Sequence, residues 1–225
     1  MKLPALLRRE RPVQVLRRVY DAWAQVYDLG PGDPIQRAND AALALCVPAA
    51  TPRAVAIDAG CGTGHHQILL RARGWERVFG FDLSFQMLQR AQGYTGRAVA
   101  DLHRLPVRPA ELVLCSLVLT HASPVEPALA ALAKLVRYRG HLVLSLLHPR
   151  AISTGLPSCC PGADRRWWRL PHRAHPVGGV VAALRRRGLA VELVTEPAPE
   201  PALPHEPARP LVPLVYAVCA RRVVG

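Results

Sequence analysis

The 225-residue chain is predicted to be an α/β protein, with a mostly parallel sheet covered by helices in three layers. Short apolar segments alternate along the chain with longer segments of helical period. Strands that are apolar on both faces, such as 112–117, are typical of parallel sheets with helices on both sides. The length suits one sizeable core and is short for two domains, so we expect one globular unit.

The predicted elements begin with two helices and continue as strand–helix repeats. The first helix covers 13–26, and the second is capped by Asp33, has Pro34 in its first turn and ends near Cys46. Strands are predicted at 54–58, 78–82, 97–100, 112–117, 141–147, 189–194 and 212–221. Helices between them are predicted at 65–73, 85–92, 125–136 and 177–187. The segments 148–176 and 197–213, the latter rich in proline, are expected to be irregular.

Composition favours a soluble, cytoplasmic protein. No apolar run approaches the roughly 20 residues that cross a bilayer. The apolar segment 3–7 precedes the first arginines, which is the reverse of a secretory signal. The net charge of +13 could serve a nucleic acid or an anionic carrier. Arginine is spread along the chain and lysine occurs only twice. A GC-rich genome, whose codons favour arginine, is therefore the simpler explanation of the positive charge.

The six cysteines predict neither disulfides nor a metal site. Cys159 and Cys160 are adjacent and lack the spacing of zinc ligands, although His172 and His175 follow them. Without a secretory signal, disulfides are not expected. Three other cysteines lie in apolar segments and are interpreted as small buried hydrophobes: Cys46, Cys115 and Cys219.

The strongest functional signal is a glycine turn after the first strand. Asp58 ends that strand, and Gly60, Gly62 and Gly64 follow it. Glycines permit a sharp turn and a close approach of ligand to backbone, while the N–H groups of the next helix face the ligand. The spacing differs from the dinucleotide pattern, because His65 stands where that pattern has its third glycine. A carboxylate here would repel a pyrophosphate and suits a cationic group; a turn without a ligand is the alternative.

A second acid lies at the neighbouring strand end. Asp82 closes the second strand, where a carboxylate can accept both hydroxyls of a ribose. A lone aspartate at a strand end is common, but in register with the glycine turn it indicates a pocket for a cationic nucleoside.

With these motifs, residues 20–147 resemble the class I S-adenosylmethionine-dependent methyltransferases, specifically the type-11 branch. The resemblance implies methyltransferase activity, S-adenosylmethionine as cofactor, and a Rossmann-like seven-stranded sheet that is parallel except for an antiparallel last strand. Asp58, the glycines and Cys61 would hold the methionine end. Asp82, Leu83 and Met87 match the second motif, in which the acid holds the ribose.

The resemblance also assigns roles to other positions. Asp101 and Leu102 would contact the adenine, and Cys115 and Ser116 would line the methionine and methyl region. Residues 1–50 would form a helical lid, 51–225 the methyltransferase domain, and 148–176 a roof over the acceptor. Two lid residues would close over the cofactor, with ordinary helix packing as the alternative: Tyr20 and Tyr27.

Two segments depart from the family pattern. The family usually has Pro-Gly-Gly before the fifth strand, whereas 138–141 reads Tyr-Arg-Gly-His. It usually has Phe-Asp entering the fourth strand, whereas this chain has Ala110 and Glu111. Both departures lie away from the glycine turn and are expected to change local turn geometry.

The chemistry needs few catalytic groups. Methyl transfer from a sulfonium is an in-line displacement, for which the protein supplies alignment and excludes water. An oxygen or nitrogen acceptor needs at most one base. His148, directly after the fifth strand, is the first candidate and His121, after the fourth, is the second; either could instead be a structural polar residue.

The acceptor is predicted only by class. The branch includes malonyl-acyl-carrier-protein O-methyltransferases, so a small-molecule or carrier-bound acceptor is expected, and no membrane partner. A tRNA-modifying enzyme is the first alternative, mildly favoured by the charge, and a non-catalytic protein of the same fold is the second. The sequence does not indicate the oligomeric state.

Overall fold

The computed structural model describes residues 12–28, 33–156, 159–163, 165–199 and 211–224. Its helices are α1 (Pro12–Trp23), α2 (Pro34–Cys46), α3 (Gln67–Ala72), α4 (Phe85–Arg90), α5 (Glu126–Lys134), α6 (Pro149–Ser153) and α7 (Val177–Arg185). Its strands are β1 (Val55–Ala59), β2 (Arg77–Asp82), β3 (Gly96–Val99), β4 (Ala110–Ser116), β5 (Val136–Leu147), β6 (Cys159–Pro161), β7 (Trp167–Arg169), β8 (Leu189–Thr195) and β9 (Val215–Arg222). Within these ranges no helix is long and apolar enough to cross a membrane.

Seven strands form one sheet in the order β3-β2-β1-β4-β5-β9-β8. Strands β1 to β5 pair in parallel, and β9 runs antiparallel to both of its neighbours. The predicted fold class, with its antiparallel last strand, is therefore confirmed. Because β1 to β4 run in the same direction, their carboxyl ends meet at one edge, where ligands bind in such sheets.

Alternate residues of each central strand enter two separate cores. Ile57 and Val113 pack on one face against α5 and α7. Ala56 and Leu114 pack on the other face against α2 and α3. Strands buried on both sides by helices give the three predicted layers.

Local signals position two helices as predicted. Asp33 caps α2 by accepting a hydrogen bond of 2.9 Å from the backbone N–H of Ile35. Ser84 caps α4 by accepting one of 3.1 Å from the N–H of Met87. However, α2 packs on the sheet face, so among the described residues of the segment 1–50 it is α1 and the turn after it that lie over the carboxyl edge. Residues 1–11 and 29–32 of that segment lie outside the described ranges.

The fifth strand begins five residues earlier than predicted, and the preceding helix ends at Lys134 instead of 136. Ala110 pairs with Val136 but Leu112 pairs with His141, so 137–140 form a bulge on β5. A side chain at Gly140 would come within 2.8 Å of the carbonyl oxygen of Glu111. The two departures from the family pattern therefore meet in space, and the Glu111 carboxylate also accepts from the N–H of Val55 at 2.9 Å.

The segment 148–176 is more regular than predicted. It begins with α6 and contains the antiparallel pair β6–β7. Cys160 and Leu170 are buried with Val19 of α1, which joins this segment to the lid. Most of the proline-rich stretch, 200–210, lies outside the described residues, and β9 begins at Val215 rather than 212.

Candidate active site

The glycine turn leaves β1 with the left-handed backbone that the sequence required. The φ angles of Gly60, Gly62 and Gly64 are +83°, +55° and +91°. A side chain at Gly60 would collide with Val118, whose Cγ2 lies 2.1 Å from the Cβ position. At Gly62 a Cβ would meet nothing within 4 Å. Gly60 is thus required by packing, while Gly62 borders open space.

Asp58 is buried at the end of β1 and has one unsatisfied oxygen. Its Oδ2 accepts a 2.7 Å hydrogen bond from the hydroxyl of Tyr94, whereas its Oδ1 has no hydrogen-bond partner among the described residues. Burial, together with the nearby charge of Asp82, raises the pKa of Asp58 to about 7. An unpartnered buried carboxylate oxygen is costly unless a cation approaches it.

Asp82 anchors the glycine turn and keeps acceptor capacity. Its Oδ2 accepts from the N–H of Gly62 and its Oδ1 from that of Ser84, both at 2.8 Å. Burial raises its pKa, against the effect of these hydrogen bonds. A carboxylate offers about four lone-pair sites, so Asp82 keeps acceptor capacity for a hydroxyl. Leu83 is half-buried beside it, while the Met87 side chain is buried in the protein.

The end of β3 lies next to Asp82, because Val99 pairs with it. Asp101, two residues later, accepts from the N–H of His103 at 2.9 Å and contacts its ring Nδ1 at 2.7 Å. Burial opposes these contacts with His103, but they prevail and lower the pKa of Asp101. Leu102 is half-buried against the core. The predicted adenine residues therefore stand beside the predicted ribose acid.

Cys115 and Ser116, predicted to line the methionine and methyl region, point to opposite faces of the sheet at the end of β4. Cys115 is fully buried in the core beneath α5 and α7, so its side chain does not reach the edge. Ser116 points to the α2 face, where its hydroxyl accepts from Asn39 Nδ2 at 2.9 Å and lies 3.0 Å from that of Ser145. Ser116 therefore joins a buried polar group of the α2 face.

His66 completes this polar group. Its Nε2 lies 3.1 Å from Asn39 Nδ2 and 3.3 Å from the hydroxyl of Ser116. Burial, then the neighbouring His65, lowers the pKa of His66 to about 4, so the ring is neutral at physiological pH. The Oδ1 of Asn39 has no hydrogen-bond partner among the described residues.

His121 connects the lid, the fourth strand and the roof. Its Nδ1 lies 3.0 Å from the carbonyl oxygen of Pro171, which can only accept, so Nδ1 carries the proton. Its Nε2 therefore accepts the 2.8 Å hydrogen bond from the hydroxyl of Tyr20. Burial lowers the pKa of His121 to about 4 and raises that of Tyr20 well above its usual value. The pair is neutral and pre-aligned.

Two hydroxyl groups of the domain also hold the lid. The hydroxyl of Ser84 donates to Asp21 at 2.5 Å, and that of Thr63 donates to Asp28 at 3.0 Å. Between them, the Tyr27 ring packs edge-on against Trp23 with centroids 4.7 Å apart. Burial, then nearby acids, raises the pKa of Tyr27 to about 12. The lid thus contacts the glycine turn and the start of α4.

His148 has a different environment from His121. Its Nδ1 accepts a 3.1 Å hydrogen bond from the N–H of Arg150, which caps α6. Its Nε2 lies 3.6 Å from the carboxylate of Glu196. Burial lowers its pKa, although Glu196 opposes the shift. Both ring nitrogens therefore face protein groups, one at the start of α6 and the other at Glu196, just after β8.

Comparison with known proteins shows which domain carries this arrangement. Residues 57–144, which include the glycine turn and strands β2 to β4, match the type-11 methyltransferase domain. The chain carries a class I methyltransferase domain. Its cofactor is S-adenosylmethionine.

The relatives of this methyltransferase domain differ in how much of the chain they cover. Over 96 residues it is 31% identical to malonyl-[acyl-carrier protein] O-methyltransferase of Hamiltonella defensa, which covers 40% of this chain and 37% of that protein. The chain therefore spans little more than a third of the length of that curated relative. An S-adenosylmethionine-dependent methyltransferase of Mesorhizobium loti is 26% identical with a TM-score of 0.63, covering 85% of this chain and 99% of its own.

A third comparison concerns the fold alone. The methyltransferase from a Haloferax volcanii complex with the Trm112 methyltransferase activator gives a TM-score of 0.72 at 20% identity. It covers 93% of this chain and 98% of its own length.

The residues at the carboxyl edge of the sheet fit this cofactor. S-adenosylmethionine carries an ammonium, a sulfonium and a ribose diol. The unpartnered Oδ1 of Asp58 offers an acceptor for the cationic part, the free lone pairs of Asp82 suit the diol, and Gly62 leaves room against the backbone.

Two side chains of the methyltransferase site were not predicted from the sequence. The ring of Tyr94 lies within 2.9 Å of the Cβ position at Gly80 and 3.2 Å of that at Gly64, so both glycines admit it to Asp58. Asn39 reaches the site from α2. Tyr94 and Asn39 lie outside the motifs, and only the close approach of distant segments reveals them.

Proposed function

We propose that the protein transfers the methyl group of S-adenosylmethionine to an oxygen or nitrogen of a small-molecule or carrier-bound acceptor. The observation that carries the proposal is Asp58, a fully buried carboxylate with one unpartnered oxygen at the foot of the glycine turn. A protein without a cationic ligand gains nothing from keeping such an oxygen, which costs about 1–3 kcal/mol of stability when unsatisfied.

In this proposal the chain aligns and encloses the reactants. The cofactor, when bound, supplies an electrophilic methyl group on a sulfonium. Asp58 holds its cationic amino acid end and Asp82 its ribose, which fixes the direction in which the methyl group faces. Tyr20 and Tyr27 of the lid exclude water from the carboxyl edge. Holding reactants in line in this way contributes on the order of 7–11 kcal/mol to the lowering of a bimolecular barrier.

His121 is the proton acceptor that we favour over His148. The lone pair of its Nε2 is already directed at a hydroxyl, that of Tyr20, and the ring is neutral. A hydroxyl or amine of an acceptor that displaces Tyr20 would deliver its proton to this atom. By contrast, Nδ1 of His148 already accepts the N–H that caps α6. A carboxylate acceptor is ionised at neutral pH and needs no base, so His121 would then only position it.

Among acceptors, a carboxylate carried on an acyl carrier is favoured. The malonyl-[acyl-carrier protein] O-methyltransferase is 31% identical to this chain over 96 residues. The roof adds five exposed arginines that would attract an acidic carrier: Arg150, Arg165, Arg166, Arg169 and Arg173.

The test is transfer of labelled methyl groups. The purified protein is given labelled S-adenosylmethionine with malonyl-loaded acyl carrier protein, with a malonyl thioester lacking the carrier, or with total tRNA. We expect label in the loaded carrier, and none when Asp82→Ala replaces the wild-type protein. Label in the free thioester alone would show that the acceptor does not need the carrier. Label in tRNA would favour an RNA-modifying enzyme. Cofactor binding by calorimetry without transfer to these acceptors or to a cell extract would overturn the catalytic proposal.

A further inference from the structure

Three potential metal ligands lie together away from the cofactor edge. They are His141 on β5, Glu192 on β8 and Cys219 on β9. One imidazole nitrogen, one carboxylate oxygen and the thiol sulfur all lie within 4.8 Å of one another. The closest pair is Nε2 of His141 and Oε2 of Glu192, at 3.3 Å.

Strand register brings the first two of these side chains to one face. Cys219 pairs with Val143 across β5 and β9, and both belong to the core beneath α2. His141 lies two residues before Val143, so its side chain points to the same face of the sheet as that of Cys219. This places an imidazole and a thiol on adjacent strands as diagonal neighbours.

A β-bulge supplies the third side chain. Val191 pairs with Ala220 and Leu193 with Cys219, so Glu192 is the extra residue between them on edge strand β8. Bulges redirect side chains and are common at sheet edges. Here the bulge leaves the Glu192 carboxylate beside His141, across the intervening β9.

We propose that His141, Glu192 and Cys219 bind one Zn²⁺, with water as the fourth ligand. Zinc prefers thiolate, imidazole and carboxylate ligands in a tetrahedron with bonds of about 2.0–2.3 Å, which places ligand atoms about 3.4 Å apart. The His141–Glu192 pair already has this separation, and the Cys219 sulfur, within 4.8 Å of both, needs a shift of about 1.4 Å at most. His141 also lines a surface cavity of about 300 Å³, from which water can enter.

The site is separate from the methyl-transfer edge. His141 precedes Ser145 by four residues, which is roughly 13 Å along the strand. The three ligands belong to the half of the sheet formed by β5, β9 and β8. A bound zinc would therefore clamp the edge strand β8 to the centre of the sheet and would take no part in methyl transfer. The ligands are far apart in sequence, which is why motif spacing predicted no metal.

The first test is a titration with Co²⁺, a zinc substitute whose bond to a thiolate gives a charge-transfer absorption band. After treatment with a chelator, the full chain should bind one equivalent, gain that band and lose it when Zn²⁺ is added. Cys219→Ser should abolish the band. Two matched controls, Cys46→Ser in the same core and Cys159→Ser on the surface, should keep it. Absence of the band, or its survival in Cys219→Ser, would overturn the proposal.

A second measurement covers the case in which Cys219→Ser does not fold. Glu192 is exposed on the edge strand, so Glu192→Gln should leave the fold intact. Because a ligand of the folded state raises its stability, Zn²⁺ should raise the Tm of the wild-type protein by several degrees. The Tm of Glu192→Gln should rise much less, with at least tenfold weaker affinity. An equal rise in both proteins would show that zinc binds elsewhere.

Discussion

The hydroxyl of Tyr20 donates a 2.8 Å hydrogen bond to Nε2 of His121, which joins the lid to the end of the fourth strand. The other nitrogen of the same ring faces the carbonyl of Pro171 in the roof. One neutral imidazole therefore fixes three segments around the place where an acceptor would meet the cofactor. Variants of His121 and of Tyr20 can therefore distinguish an effect on acceptor binding from an effect on proton transfer.

The effect of His121→Gln depends on the acceptor. With a hydroxyl or amine acceptor we expect kcat to fall about 10²–10⁴-fold, because no base remains. With a carboxylate acceptor kcat should change less than tenfold and KM should carry the effect. Tyr20→Phe, which keeps the ring and loses only the hydroxyl, serves as the matched control and should alter KM more than kcat. Steady-state kinetics of both variants decides; unchanged kcat and KM in both would exclude a role for the pair.

Asp58→Asn should raise the thermal stability of the protein and weaken its binding of S-adenosylmethionine. The folded protein raises the pKa of Asp58 to about 7, so the ionised carboxylate costs stability at neutral pH and costs nothing below about 4. Removing the charge should raise the Tm, while the affinity for S-adenosylmethionine should fall at least tenfold, or about 1.4 kcal/mol. Thermal melts and calorimetry at pH 8 measure the two effects. Glu76→Gln, which removes an exposed acid, is the charge control and should change neither.

Alanine substitutions at two glycines of the same turn should impair the protein in different ways, one through folding and the other through cofactor binding. Gly60→Ala places a methyl group against Val118 at positive φ and should unfold the protein or lower its stability by several kcal/mol. Gly62→Ala enters open space and should cost only about 1–2 kcal/mol for the left-handed backbone. Its methyl group would occupy the room left for the cofactor, so affinity should fall at least tenfold. A folded Gly62→Ala protein that binds normally would contradict the assignment of this turn.

Acid should destabilise the protein through its buried histidines. The pKa of His66 and that of His121 are both lowered to about 4 in the folded state, whereas the unfolded rings take up protons near 6.5. Stability contributed by the two neutral rings is therefore lost as pH falls from about 6.5 to 4. The raised pKa of Asp58 acts in the opposite sense and offsets part of the loss.

Urea unfolding at several pH values tests this dependence. The free energy of unfolding should decrease between pH 6.5 and 4, and His66→Gln, which keeps a hydrogen-bonding side chain, should flatten the decrease. Identical pH profiles for the two proteins would mean that His66 is not held neutral by burial.

Most of the fold was predictable because its signals are local. Apolar strands, the caps Asp33 and Ser84 and the glycine turn each depend on a few consecutive residues. The early start of β5 was not predicted, because Gly140 and the polar residues before it interrupt the apolar pattern, whereas Gly140 packs under the carbonyl of Glu111 within a bulge. Such a role depends on a neighbouring strand and leaves no periodic pattern.

The site residues that lie at the ends of strands could be predicted from the sequence. Asp58 and Asp82 lie at adjacent tips as expected. The pairing of Tyr94 with Asp58, and of Asn39 with Ser116, depends on segments 36 and 77 residues apart. The sequence placed His148 before His121 as the candidate base, and it gives no sign that the His148 ring caps α6; which histidine acts stays a prediction.

The two hydroxyls that hold the lid have a consequence for turnover. Ser84 and Thr63 belong to the segments that would grip the nucleoside, yet their oxygens also bind Asp21 and Asp28 of the segment above it. In the proposed function, departure of the demethylated product would require these contacts to break, together with the hydrogen bond from Tyr20 to His121. The slowest event in a catalytic cycle would then be a hinge-like release of the amino-terminal helix, and its speed would respond to salt and viscosity rather than to the nature of the acceptor.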